Sequence, residues 1–164
     1  MTFAEPSRVP AFGAVLAMTG GLAAIVGTIL PWANAATATN ATGAQLGVDF
    51  FDGKIFILMG ILAIITSGTR LAAGWLPANF VATVGRLLGT GPWVTILAGG
   101  YIVLYGILDL RDLSEQVRQQ LGGPASVGPG IYLDVAAGIA ILVSGAIAFI
   151  ARRPRSTEAP HSMQ

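Results

Sequence analysis

Residues 131–151 read IYLDVAAGIAILVSGAIAFIA, an apolar run that contains a single charged residue, Asp134. At 1.5 Å per residue, a helix of about 21 residues spans the roughly 30 Å hydrocarbon core of a bilayer. The run ends against Arg152-Arg153-Pro154-Arg155, as is typical of a helix that leaves a membrane at its basic side. The stretch therefore predicts a transmembrane helix.

Three other apolar stretches share this design and predict an all-α membrane protein, a bundle of four transmembrane helices. The predicted helices are 11–30, 54–76, 92–121 and 131–151. Residues 1–10 are expected to form a cytoplasmic N-terminus, and the polar tail 152–164 is expected to be disordered. Ala33-Asn34-Ala35 fits a signal-peptidase pattern, but the preceding apolar run is longer than a signal-peptide core, so we expect an uncleaved first helix.

The composition agrees with a membrane protein. Of the 164 residues, 54% are hydrophobic and 10% are charged, whereas a soluble domain carries about 25% charged residues. The net charge of +1, with no clustered basic face, argues against a nucleic-acid partner. Because the chain has no cysteine, it can form neither a disulfide nor a thiolate metal site.

The third helix is predicted to extend outward beyond its apolar part. Leucines and a valine recur at spacings of three and four among charged residues, which indicates an amphipathic continuation of about three turns; they are Leu110, Leu113, Val117 and Leu121. This part is expected either to project as a stalk or to lie on the membrane surface. In the first loop, residues 46–51 are expected to form a short strand or an interfacial segment.

The distribution of basic residues predicts the orientation. One side of the membrane holds six bases and two acids, and the other holds three bases and six acids. Since the more basic side stays in the cytoplasm, both termini are expected there, in a bacterial inner (plasma) membrane. Trp32 and Tyr132 are predicted to form the outer aromatic belt, and Trp75 and Trp93 the inner one.

Small residues recur on the helix faces and are predicted to pack helices together or to contact a partner. Those singled out are Gly13, Ala17, Gly20, Gly21, Gly99, Gly100, Gly106, Gly138, Ser144 and Gly145. The glycines of helices 1 and 3 match at one constant offset. Residues 60–68 and 138–145 also resemble each other, so both a duplicated hairpin and coincidence remain open.

Three polar residues are predicted to lie in or at the edge of the membrane: Arg70, Asp109 and Asp134. Arg70 is expected to extend its side chain toward one interface. A buried carboxylate is costly unless it is paired or protonated, so Asp134 is either a proton or cation relay or a structural residue near a helix N-terminus. Arg111 and Arg118 are its expected partners.

No catalytic, metal-binding or cofactor-binding residue is predicted. The only histidine, His161, stands alone in the tail, and no phosphate-binding loop or nucleophile elbow is present. The protein is therefore expected not to be an enzyme. Tyr101 and Tyr105 share a helix face, where they either line a lipid or quinone groove or pack within the bundle with their hydroxyls on backbone carbonyls.

The plan of four helices, a long first loop opening with Pro31-Trp32, an extended third helix and a glycine-rich fourth helix resembles the claudin-like arrangement. Without cysteines, the resemblance does not imply a tight-junction role. The basic end Arg152-Arg153-Pro154-Arg155 makes the chain look more like small four-helix actinobacterial membrane proteins. That resemblance implies an accessory subunit of an envelope complex, such as an Mce-type lipid importer or a respiratory supercomplex.

Three hypotheses of function follow. The first is a non-enzymatic accessory subunit of a larger inner-membrane complex, serving lipid transport. The second is a small autonomous transporter or channel in which Asp134 is the coupling group. The third is a lipid- or quinone-binding membrane protein that uses the groove beside Tyr101 and Tyr105.

Overall fold

A computed structural model describes residues 8–36, 42–72, 75, 77, 79, 80, 82, 83, 92–120 and 125–151. Within these residues, four helices are long and apolar enough to cross a membrane. They are α1 (Arg8–Ile29), α2 (Phe51–Leu71), α3 (Pro92–Gln120) and α4 (Pro129–Ala151). The prediction of four helices long and apolar enough to span a membrane is confirmed. The predicted disordered tail and residues 1–7 lie outside the described residues.

Helix α2 differs most from its predicted bounds of 54–76. It begins at Phe51, and Asp52 in its first turn interacts favourably with the positive end of the helix dipole. It ends at Leu71, where the Ala72 N–H donates to the Gly68 carbonyl. Helix α4 begins at Pro129 rather than at residue 131, because proline needs no backbone donor in the first turn of a helix.

The four helices form an incompletely closed ring. Helix α1 packs against both α2 and α4, and α4 packs against both α1 and α3, whereas the neighbours α2 and α3 contact each other less extensively. Ile29, Phe51 and Pro129 lie at one end of the bundle, called here the sheet end. The segment of α3 that is long and apolar enough on average to cross a membrane is Pro92–Glu115, and the helix continues to Gln120.

The two loops at the sheet end join in one antiparallel sheet. Strands β1 (Pro31–Ala36) and β2 (Thr42–Leu46) come from the first loop, and β3 (Ala125–Val127) comes from the second. The order is β2-β1-β3, with Asn34 opposite both Ala44 and Ser126. Of the two alternatives for residues 46–51, the strand was wrong, because β2 ends at Leu46 and a 3-10 turn follows at Gly47–Asp49. The interfacial segment stays a prediction.

Glycines let the helix backbones approach closely. A Cβ at Gly21 would lie 2.5 Å from the Gly60 carbonyl oxygen of α2. A Cβ at Gly99 would lie 2.8 Å from the Gly138 carbonyl oxygen of α4 and would also collide with the backbone of Leu142. Since backbone atoms cannot move aside like the end of a flexible side chain, these positions accept only glycine.

The neighbouring pair Gly99 and Gly100 provides a test of this packing. Gly99→Ala should destabilise the bundle by about 1–3 kcal/mol, because the added methyl group overpacks the α3–α4 contact. Gly100→Ala should be neutral or slightly stabilising, because no atom of another described element lies within 4 Å of its Cβ position. Thermal unfolding of both variants in one detergent measures the difference, and equal midpoints would contradict the packing.

Candidate functional site

The first component of the site is a buried hydrogen bond at the sheet end of the bundle. Asp134, in the second turn of α4, and Trp32, in β1, are both fully buried. The Trp32 indole Nε1–H donates to Asp134 Oδ2 over 3.0 Å. This bond joins the first loop to the fourth helix across 102 positions of sequence.

Glycines create the space for this pair. A Cβ at Gly27 of α1 would lie 2.5 Å from Asp134 Oδ1, and one at Gly47 would lie 2.5 Å from Trp32 Nε1. A Cβ at Gly130 of α4 would meet the carbonyl oxygens of both Gly27 and Leu30. Helix α1, the 3-10 turn and α4 therefore each have a glycine where they surround the carboxylate and the indole.

The second carboxylate oxygen of Asp134 is buried, and it has no hydrogen-bond partner among the described residues. The Thr28 hydroxyl also interacts with this carboxyl group, but it donates its hydrogen to the Ala24 carbonyl over 2.6 Å. A hydroxyl has only one hydrogen to donate. The Trp32 indole is therefore the principal donor to this carboxylate.

A series of contacting aromatic rings runs from Trp32 to the side of the bundle where α2 and α3 meet. Trp32 stacks on Phe50 at 5.5 Å and lies 5.6 Å from Phe56. Phe56 meets the Tyr101 ring edge to face at 6.3 Å, and Tyr101 stacks on Tyr105 at 4.3 Å. These contacts, at centroid spacings favourable for aromatic pairs, fill the place where α2 and α3 pack least.

The second component is a pocket of about 210 Å³ that Trp32 helps to line. We call it the acidic pocket; its lining residues are Trp32, Phe50, Phe51, Asp52, Asp109, Asp112 and Leu113. The Tyr101 hydroxyl donates to Asp52 Oδ1 over 3.4 Å. Asp109 is partly buried, and its Oδ2 has no hydrogen-bond partner among the described residues.

Most of the small residues singled out in the sequence lie between helices of this chain. Gly13 and Gly20 face α4, Gly106 faces Val135, and the Ser144 hydroxyl donates to the Gly13 carbonyl over 2.6 Å. The others inside the bundle are Ala17, Gly21, Gly99, Gly138 and Gly145. Gly100 differs, because its Cβ position is open.

The prediction that Arg111 is the partner of Asp134 was wrong, whereas that for Arg118 stays a prediction. Its donor is the Trp32 indole, while Arg111 is exposed on α3 and the Arg118 side chain lies outside the described part of the chain. Trp32 was expected in the outer aromatic belt, but it is fully buried. The other three belt residues are exposed: Tyr132, Trp75 and Trp93.

The structure also gives the positions of Arg70 and of the acidic residues near Asp109. Arg70 is partly buried in the last turn of α2, where a positive charge complements the helix dipole. Sequence reasoning did not connect Asp52, Phe50 and Asp112 with Asp109, although all four border the acidic pocket. The sequence did contain one indication that these residues lie close together, because all four are next to the predicted loop ends on one side of the membrane.

The hydrogen bond between Trp32 and Asp134 can be tested by removing its donor. Trp32→Phe keeps an aromatic ring but leaves the buried carboxylate without its donor, so unfolding should become easier by about 1–3 kcal/mol. Trp75→Phe is the matched control, since Trp75 is 93% exposed and its substitution should change stability by less than about 0.5 kcal/mol. Thermal unfolding in detergent measures both, and equal effects would contradict the role of the bond.

Comparison of the chain with models of known protein families gave no match. Comparison with curated proteins also gave no match.

Proposed function

We propose that this protein is a non-enzymatic accessory subunit of a larger complex in a bacterial plasma membrane. Lipid transport, the process suggested by the resemblance to subunits of lipid importers, is part of the proposal. The observation that carries it is an exposed apolar stripe on α3 with a glycine at its centre. We call this the outer stripe of α3; it consists of Trp93, Leu97, Gly100, Leu104 and Ile107.

The outer stripe has the spacing and composition of a surface that packs against another helix. Its members follow each other at alternating spacings of four and three residues, so they share one helix face. Leu97 and Leu104 are 70% and 58% exposed on either side of Gly100. A glycine between two larger apolar residues lets a second transmembrane helix approach closely.

Comparison with Gly21 strengthens this interpretation. Gly21 occupies the position in α1 that matches Gly100 at the constant offset between the first and third helices. It packs directly against the Gly60 backbone of α2. The corresponding close approach at Gly100 is open to a helix of another protein.

The interior of the bundle favours a structural role over transport. Asp134 and Thr28 lie near the sheet end, and the other buried polar residues lie nearer the opposite end; they are Thr66, Ser67, Thr95 and Ser144. Between them, the buried residues of the described chain are apolar or glycine; they include Phe56, Ala63, Ile102, Ala137 and Ile141. A transport path normally contains several polar groups.

The proposed topology has both termini in the cytoplasm and the sheet end outside. It is supported by the excess of arginine on the side of the termini. In this orientation, the end of α3 that extends past Glu115 projects outward beside the sheet. A partner can then contact the protein both along the outer stripe and outside the membrane.

A second candidate is an autonomous transporter with Asp134 as its coupling group. The observation that favours it is the buried Oδ1 atom without a hydrogen-bond partner among the described residues. The third hypothesis, a quinone or lipid groove at Tyr101, is less favoured, because its hydroxyl donates to Asp52 and its ring stacks on Tyr105.

The outer stripe can be tested by recovery of the complex. Gly100→Ile adds bulk where a partner helix would pack, so partner recovery should fall at least about tenfold, equivalent to about 1.4 kcal/mol. The protein would be purified from native membranes in mild detergent through a tag on its C-terminal tail, and bound proteins would be quantified by mass spectrometry. Wild-type protein should recover one stoichiometric larger partner.

Ala146→Ile is the control for this experiment, since Ala146 is an exposed small residue on α4. It should leave partner recovery unchanged, and both variants should keep the thermal stability of the wild type. A wild-type protein recovered alone even after cross-linking would refute the accessory role. Equal recovery with Gly100→Ile would refute the stripe as the contact surface.

The second candidate has a separate test. If Asp134 couples transport, Asp134→Asn should abolish an ion or substrate flux in proteoliposomes while the Asn side chain still accepts the Trp32 hydrogen bond. The accessory-subunit proposal expects no such flux in the wild type. A flux that persists in the variant would exclude the coupling role.

A further inference from the structure

We infer that the helix which packs on the outer stripe of α3 belongs to another protein, runs antiparallel to α3 and has a glycine, alanine or serine opposite Gly100. This inference rests on the proposed function, because it describes the partner helix that the accessory role requires. It is drawn from an equivalent surface on α1, which α2 covers within the bundle.

Helices α1 and α3 present matching glycines to α4. A Cβ at Gly20 of α1 would lie 3.0 Å from the Ala137 carbonyl oxygen of α4. A Cβ at Gly99 of α3 would lie 2.8 Å from the Gly138 carbonyl oxygen of α4. The glycines seven positions later on each helix also face α4. The two helices therefore contact α4 with equivalent faces, and both run toward the sheet end.

Beside these faces, each of the two helices has a second set of three residues. The sets match at the same constant offset; they are Met18, Gly21 and Ile25 on α1 and Leu97, Gly100 and Leu104 on α3. Helix α2 covers the set on α1. Met18 and Ile25 are partly buried, and a Cβ at Gly60 of α2 would lie 3.3 Å from Ile25 Cγ1.

The set on α3 has no such cover among the described residues. Leu97 and Leu104 are exposed, and the Cβ position of Gly100 is open. One surface therefore occurs twice in the bundle, once covered by a helix and once uncovered. The covered example indicates what kind of helix fits the uncovered one.

The covering helix is antiparallel and has a glycine at the crossing. Helix α1 ends at the sheet end, whereas α2 begins there. A Cβ at Gly21 would lie 2.5 Å from the Gly60 carbonyl oxygen, and a Cβ at Gly60 would lie 2.7 Å from the Gly21 carbonyl oxygen. Both positions must be small for the backbones to approach this closely. Side chains tilt toward the N-terminus of their own helix, so a surface shaped for an antiparallel helix fits a parallel one less well.

A second copy of this chain does not supply such a helix. In one membrane and one orientation, only its α2 and α4 would run antiparallel to α3. The exposed residues of these two helices at the depth of Gly100 are Ile61 and Ile139, next to the glycines that face α1 and α3. An isoleucine at the crossing would hold the two backbones apart. The partner helix is therefore expected to come from another protein.

Photo-cross-linking in native membranes tests the direction of the helix. The photoreactive residue p-benzoylphenylalanine would replace Leu97 in one variant of the full chain and Leu104 in another. Both side chains are exposed, so both variants should fold. After capture through a tag on the C-terminal tail, mass spectrometry maps the cross-linked positions. Position 104 should cross-link about seven residues nearer the N-terminus of the partner helix than position 97 does, because the two helices rise equally in opposite directions.

The control is the same replacement at Ile139, which is exposed on α4 at the same depth. It should not cross-link to that helix. A small residue should lie between the two positions mapped from the outer stripe. Its replacement by isoleucine in the partner should lower recovery of the complex about tenfold, as expected for Gly100→Ile, whereas its replacement by alanine or serine should not.

The outcomes separate this inference from the accessory role. Recovery of the chain alone, without any cross-linked protein, would refute the accessory role itself. If a partner is recovered, the inference is overturned by the reverse order of cross-links, by a leucine or larger residue between them, or by cross-links to a second copy of this chain. A recovered partner that cross-links from neither Leu97 nor Leu104 would also overturn it.

Discussion

The hydrogen bond between the Trp32 indole and the Asp134 carboxylate is the constraint on which the sheet end depends. A carboxylate among helix ends is costly to bury, and an indole N–H is one of few donors that can satisfy it while adding apolar surface. The bond requires β1 to turn inward over α4, and it requires glycine at positions 27, 47 and 130. The position of the first loop on the bundle is thus determined by the hydrogen bond that the buried Asp134 Oδ2 accepts from Trp32.

Trp32 also separates two environments. One side of the residue faces the buried Asp134, and another borders the acidic pocket, where Asp52 and Asp109 lie. The Trp32 indole therefore lies between the acidic pocket and the buried Asp134 carboxylate. The buried residues in the middle of the bundle are apolar or glycine, so the buried polar groups of the described chain are concentrated at its two ends.

The sequence predicted those elements whose structure depends only on their own residues. Length and hydropathy were sufficient to predict four spanning helices, because each crossing is determined by its own residues. The sheet was not predicted, since β3 has only three residues, Ala125–Val127, and exists through pairing with β1. The role of Trp32 was also missed. A tryptophan near a helix end resembles an interfacial residue until the distant Asp134 is placed beside it.

The distance of 102 residues between Trp32 and Asp134 has a consequence for biogenesis. At synthesis rates of about 5–20 residues per second, the indole is made about 5–20 s before its acceptor. During that interval α1, α2 and α3 can enter the membrane, but β1 lacks both Asp134 and β3. The nascent chain must therefore keep an unfinished loop at the sheet end until the last helix is made. A membrane insertase or chaperone would have most effect on folding during this interval.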